Sequence, residues 1–171
     1  PTSGSIEIAG VSVDKLREGA LVRFRQANVG FIFQSFNLLP SMTVLENVAI
    51  PLMFRGEPKR LREKKAKEIL KAVGLETHLL HKPNQLSGGQ QQRVGIARAL
   101  ITNPKIVFAD EPTGNLDSKT SKEVIDIMMQ MMRASGQTLV MVTHDAEKAR
   151  SVDRVVRILD GSIVSTEYNT P

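Results

Sequence analysis

KIVFADEP, residues 105–112, is a short apolar run that ends in two carboxylates and a proline. A stretch of Ile, Val, Phe and Ala bounded by polar residues reads as a buried strand of a parallel sheet. Two other runs have the same form, VGFIFQ (29–34) and TLVMVTH (138–144). Residues 35–104, between the first and second, show no comparable β pattern. They read as mostly helical through TVLENVAIPLMF (43–54), KRLREKKAKEILK (59–71) and LSGGQQQRVGIARAL (86–100). The pattern predicts an α/β core with a helical subdomain inserted at about residues 36–98. RVVRILDGSIV (154–164) predicts instead an antiparallel β-hairpin near the C-terminus, turning at Asp160 and Gly161. No repeat, low-complexity tract or linker divides the chain, so residues 1–171 read as a single domain.

Composition narrows the function classes. A chain of 171 residues with 41% hydrophobic content can bury a sizeable core. It has no cysteine, which argues against a disulfide scaffold or a thiolate-bound metal, and a reducing, cytoplasmic setting is expected. No stretch approaches the roughly 18 consecutive apolar residues of a spanning helix, so a membrane role calls for a partner. The net charge of +5 raises the question of nucleic acid. In the densest basic run, however, Glu63 and Glu68 interrupt the cations. Ala66, Ile69, Leu70 and Val73 fall at helical spacing, and Gly74 follows as a C-terminal cap. That is the pattern of an amphipathic helix with a solvated face. With one Tyr and no Trp there is little surface for stacking bases, and no nucleic-acid partner is expected. His78 and His81 lack a third ligand of suitable spacing, which favours surface positions over zinc. Met128, Met129, Met131 and Met132 read as adaptable packing, with a partner surface as the alternative.

Open α/β sheets bind ligands beyond the carboxyl ends of their strands. The three predicted strands deliver Gln34, then Asp110 with Glu111, then His144 with Asp145 to those ends. Neighbouring residues on a strand point to opposite faces. One of the two adjacent carboxylates can therefore serve a Mg²⁺ shell while the other addresses a different target, such as an attacking water. His144 suits contact with a transferred phosphoryl group, and Gln34 suits a movable metal or water ligand. Ser87 is a good helix N-cap, and Gly88 and Gly89 leave backbone N–H groups open to a phosphate at the positive end of the helix. Asp117, ahead of SKTSKEVIDIMMQMM, reads as an N-cap as well.

Taken together, LSGGQQQRVGIARAL resembles the signature of ATP-binding cassette (ABC) ATPases, IVFADEP their Walker B strand, GNLD their D-loop, VTH their switch histidine and GFIFQ their Q-loop. FQSFNLLPSMTVLENVAIPL (33–52) looks most like the macrolide-export and lipoprotein-release group, with the cell-division ATPase close by. The resemblance implies a P-loop NTPase-like ABC ATPase core. It implies ATP as substrate with Mg²⁺, a head-to-tail dimer with a second ABC ATPase subunit, and a transmembrane permease partner at the inner face of the cell membrane. Ser87, Gly88, Gly89 and Gln90 would contact the γ-phosphate held by the other subunit. Asp110 would organise Mg²⁺, Glu111 would polarise water, and Gln34 would sense the metal and the transport subunit. His144 would touch the γ-phosphate, and Asp117 would couple the two sites.

One departure stands out. No G-x-x-x-x-G-K-[ST] loop occurs, and GNLDSKT from Gly114 lacks the second glycine before Lys119. The expectation is therefore a partial core, truncated before the Q-loop strand, that binds ATP poorly and turns it over negligibly alone. A non-catalytic module docking on a membrane subunit is the alternative. A soluble ABC ATPase acting on DNA or ribosomes is disfavoured, because the segment between Gln34 and Ser87 carries no coiled-coil heptads or zinc hook.

Overall fold

Strands and helices alternate along the chain in an order that follows its apolar runs and caps. A computed structural model describes residues 2–149 and 151–169. The elements are β1 (Glu7–Ile8), β2 (Val11–Ser12), α1 (Glu18–Asn28), β3 (Val29–Phe33), α2 (Val44–Phe54), α3 (Lys59–Ala72) and α4 (Gly88–Leu100). They continue with β4 (Ile106–Asp110), α5 (Ser118–Ser135), β5 (Thr138–Val142), α6 (Ala146–Ala149), β6 (Arg154–Leu159) and β7 (Ser162–Tyr168). The chain divides into two units, Pro1–Met141 and Val142–Pro171.

In the first unit the sheet order is β3-β4-β5, and β3 and β4 are parallel. Ile32, Val107 and Ala109 point to one side, where Ile96 and Ala99 of α4 and Val124, Ile125 and Met128 of α5 cover them. The expectation of fully buried strands needs correction. Phe31, Phe33 and Val140 lie on exposed positions, and Phe31 stacks on Phe33 and Phe108 at ring separations of 5.9 and 5.6 Å. Because side chains alternate across a strand, helices on one side bury only every second residue.

The predicted helices between β3 and β4 form, and they share a separate apolar core of Val44, Val48, Leu52, Ala66, Leu70, Val73, Leu75 and Val94. The Thr43 hydroxyl accepts from the Glu46 N–H and the Glu46 carboxylate accepts from the Thr43 N–H, a reciprocal cap that starts α2. Asn47 is fully buried and satisfied. Its Oδ1 accepts from the Leu39 N–H at 2.8 Å, and its Nδ2 donates to the carbonyls of Leu39, Met42 and Thr43. It thereby fixes the loop that leads from β3 into α2. Gly74 ends α3 with φ +73, its N–H on the Lys71 carbonyl and the Leu75 N–H on Leu70, as its position suggested. Met128 and Met132 are buried on the inner face of α5, in keeping with packing.

In the second unit β6 and β7 form the expected antiparallel hairpin. Asp160 and Gly161 both have positive φ, which a two-residue turn matched to strand twist requires.

Candidate functional site

The β3–β4 register pairs Phe33 with Asp110, so Gln34 and Glu111 each follow the last paired residue at the same end of the sheet. Asp110 is exposed and Glu111 half-buried. Glu111 has φ +42, a left-handed conformation that is costly for a residue with a side chain and recurs at functional sites. The chain therefore leaves the strand at Glu111. The two carboxylates are separated by a backbone turn rather than by strand alternation, which corrects the sequence-based argument for their divergence.

Gln34 is held from the loop that precedes α5. Its Nε2 donates to Asn115 Oδ1 at 3.3 Å, and Asn115 Nδ2 donates to the Gln34 carbonyl at 3.1 Å. A Cβ at Gly114 would sit 2.6 Å from Gln34 Nε2, so the glycine of GNLD is what admits the glutamine side chain. Just beyond Gln34, Phe36 and Asn37 both have positive φ. Arg98 of α4 pins this bend by donating to the carbonyls of Phe36 and Asn37. Burial lowers the pKa of that guanidinium.

At the start of α4 the Ser87 hydroxyl accepts from the Gln90 N–H at 3.3 Å, and Gln90 Oε1 accepts from the Ser87 N–H at 2.9 Å. This is the predicted N-cap in its reciprocal form. Gln90 Nε2 also lies 3.3 Å from His78 Nε2. Thus the Gln90 amide has partners within the chain, and His78 has a structural duty. The glycine pair has one too. A Cβ on Gly88 would meet Leu116 Cδ2 at 3.0 Å, and one on Gly89 would meet Thr120 Cγ2 at 2.4 Å. The missing side chains let the first turn of α4 lie against the entry to α5. That entry is capped by Asp117, whose Oδ1 accepts from the Thr120 N–H at 3.0 Å. Hydrogen bonds from the Thr120 hydroxyl and N–H hold the Asp117 carboxyl below its ordinary value.

Gln92 was not anticipated. It is fully buried in α4, and its Nε2 donates to the Pro112 carbonyl and, at 3.3 Å, to the Phe33 carbonyl. One amide thus ties the helix to the ends of both central strands. Its signal in the sequence is positional, since Gly89, Gln92, Ile96 and Ala99 recur at helical spacing on one face. Gln34, Asp110, Glu111, Ser87, Gly88, Gly89, Gln90 and Asp117 all belong to the first unit. His144 follows β5 in the second unit and is exposed. Asp145 there accepts from the Lys148 N–H and pairs with its ammonium at 3.1 Å, capping α6.

Comparison with known proteins identifies the family of the chain. Residues 1–114 match the ABC transporter family. The lipoprotein-releasing system ATP-binding protein LolD of Geobacter metallireducens is 49% identical over 165 residues, covering 96% of this chain and 73% of that protein. The macrolide export ATP-binding/permease protein MacB of Rhodopirellula baltica is 48% identical over 165 residues, covering 95% of this chain and 24% of that longer protein. A dimeric structure of the ATP-binding cassette MJ0796, in a post-hydrolysis state bound to ADP and Pi, matches with a TM-score of 0.87 at 43% identity. That match covers 100% of this chain and 75% of the cassette. The chain belongs to the ABC transporter family.

Proposed function

We propose that this chain supplies the ATP-hydrolysing machinery of an ABC transporter that powers export or extraction of a substrate through a membrane permease. The observation that carries the reading is the single connected cluster formed by four elements. Gln34 and Asn115, Gln92 with both strand ends, and the glycine pair against Leu116 and Thr120 link the Q-loop, Walker B end, D-loop and signature helix. A phosphate-sensing group that moves in such a cluster moves the others.

In this reading the Glu111 carboxylate accepts a hydrogen bond from the attacking water and orients it toward the γ-phosphate of ATP. The exposed Asp110 carboxylate and the Gln34 amide oxygen are hard donors at one sheet end, a set that fits Mg²⁺. When bound, that ion neutralises developing phosphate charge. Ser87, Gly88, Gly89 and Gln90 present the capped N-terminus of α4 to the γ-phosphate bound by a second ABC subunit, and Asp117 couples the two sites. His144 hydrogen-bonds the γ-phosphate. The phosphate-cradling loop comes from a segment other than residues 1–171, which contain no G-x-x-x-x-G-K-[ST]. Among the described residues no helix is long and apolar enough to cross a membrane. The chain is placed peripherally on the inner face of the membrane by its permease.

Equilibrium MgATP binding tests this reading. The 171-residue chain is compared with the same chain preceded by a P-loop segment, both carrying Glu111→Gln to stop turnover. Tight binding only in the second form supports it. Tight binding by the 171 residues alone contradicts the assignment of the phosphate cradle to another segment.

A further inference from the structure

We propose that the exposed cationic row of α3 is a docking surface for an anionic lipid bilayer. Arg60, Lys64, Lys67 and Lys71 follow one another at spacings of four, three and four residues, which aligns them along one side of the helix. All four are exposed, while Ala66, Leu70 and Val73 bury the opposite side in the helical core. At 1.5 Å per residue the row extends about 16 Å.

Its neighbours explain why the charge stays uncompensated. Lys65 is engaged below the row by Glu57 at 2.7 Å, and Arg62 donates to the Glu57 carbonyl at 3.4 Å. Glu63, on the edge of the row beside Arg60 and Lys67, pairs instead with Lys59 at 3.7 Å. Glu68, on the other edge of the row, reaches Lys64 only at 4.0 Å, and both side chains are well exposed, 65% and 74%. A pair so exposed and so long contributes little. Arg60, Lys67 and Lys71 show no acidic partner among the described residues.

Charge complementarity selects the occupant. The row carries four cations on long solvated stems along one helix face, and a fluid array of anionic headgroups can meet all of them at once. Residues 59–72 contain no aromatic side chain, which removes the stacking that a single-stranded nucleic acid would use. The inference takes from the proposed function only that a bilayer is nearby. Its test uses no nucleotide, so the two can fail separately.

The experiment is co-sedimentation of the 171-residue chain with vesicles of phosphatidylcholine alone or mixed with phosphatidylglycerol, at low and moderate salt. Binding to the anionic vesicles only, weakened by salt, is expected. Each cation removed from the row should weaken partitioning about fivefold. The variant R60Q/K64Q/K67Q/K71Q should lose nearly all binding while keeping its helical circular dichroism, and R60K/K64R/K67R/K71R should retain it. A charge-matched control, K15Q/R17Q/R23Q/R25Q, removes four exposed cations elsewhere and should bind far better than the row variant. Equal loss in the two glutamine variants, equal binding to neutral vesicles, absence of binding to anionic vesicles, or tighter retention by duplex DNA than by vesicles at the same salt would each overturn the proposal.

Discussion

Gly89→Ala should destabilise the chain even though alanine is the better helix former. The added Cβ would stand 2.4 Å from Thr120 Cγ2, well inside contact distance, at a buried position. Thr120 cannot swing away cheaply, because its hydroxyl and N–H both bond Asp117 and its side chain is β-branched. Overpacking of this kind costs about 1–3 kcal/mol, while the gain in helix propensity is at most about 1 kcal/mol and smaller in a first turn. The net loss is therefore about 1–2 kcal/mol, or a fall of about 3–6 °C in Tm for a chain of this size. Thr120→Ser removes the clashing methyl and keeps the hydroxyl, so Gly89→Ala/Thr120→Ser should recover most of the loss. Urea and thermal unfolding followed by circular dichroism for the two single variants and the double variant supply the cycle. Wild-type stability in Gly89→Ala, or an unchanged loss in the double variant, refutes the packing role of the glycine.

Gly30→Ala should cost more, about 3 kcal/mol, because its Cβ would meet the Ala99 carbonyl oxygen at 2.6 Å and backbone cannot rotate aside. Urea midpoints of the two glycine variants measured together test that ranking. Asn47→Ala should cost about 2–4 kcal/mol in the same assay, since it strands the Leu39 N–H and the carbonyls that the amide satisfies. Asp117 and Glu46 are held below their ordinary values of 3.8 and 4.5, by Thr120 and Thr43 respectively. A depressed folded-state pKa gives stability that is complete above the unfolded value and lost as pH falls through the folded one, so the urea midpoint should decline below about pH 4.5. Asp117→Asn and Glu46→Gln should flatten that decline.

The strands were legible because Val29–Phe33, Ile106–Asp110 and Thr138–Val142 are apolar runs with polar ends, and the caps at Ser87 and Asp117 because their side chains suit the first turn. Less was visible where tertiary contact decides. Helix α1 buries no residue, so its face carries no clear period, and β1 and β2 are two residues each. Coverage of one sheet face only is a property of what packs on it, which alternation within a strand does not announce. The turn at Glu111 follows a residue type that seldom takes positive φ. Gln92 and Asn115 look like ordinary polar residues, and their role emerges only when two strand ends and a loop converge on them. The candidate site residues stood out at strand ends and helix caps and took their roles from the resemblance of short strings, whereas the hydrogen bonds joining those strings came from the fold.

The most direct test of the account is complementation between two inactive variants of the chain preceded by a P-loop segment. One carries Ser87→Arg, which blocks the signature it offers to its partner, and the other carries Glu111→Gln, which disables its own water activation. In a head-to-tail dimer the mixture contains sites that combine an intact Glu111 from the first with an intact Ser87 from the second. Each variant alone should be inactive, and mixing should restore MgATP hydrolysis. A mixture as inactive as its parts, or full activity in either variant alone, would contradict it.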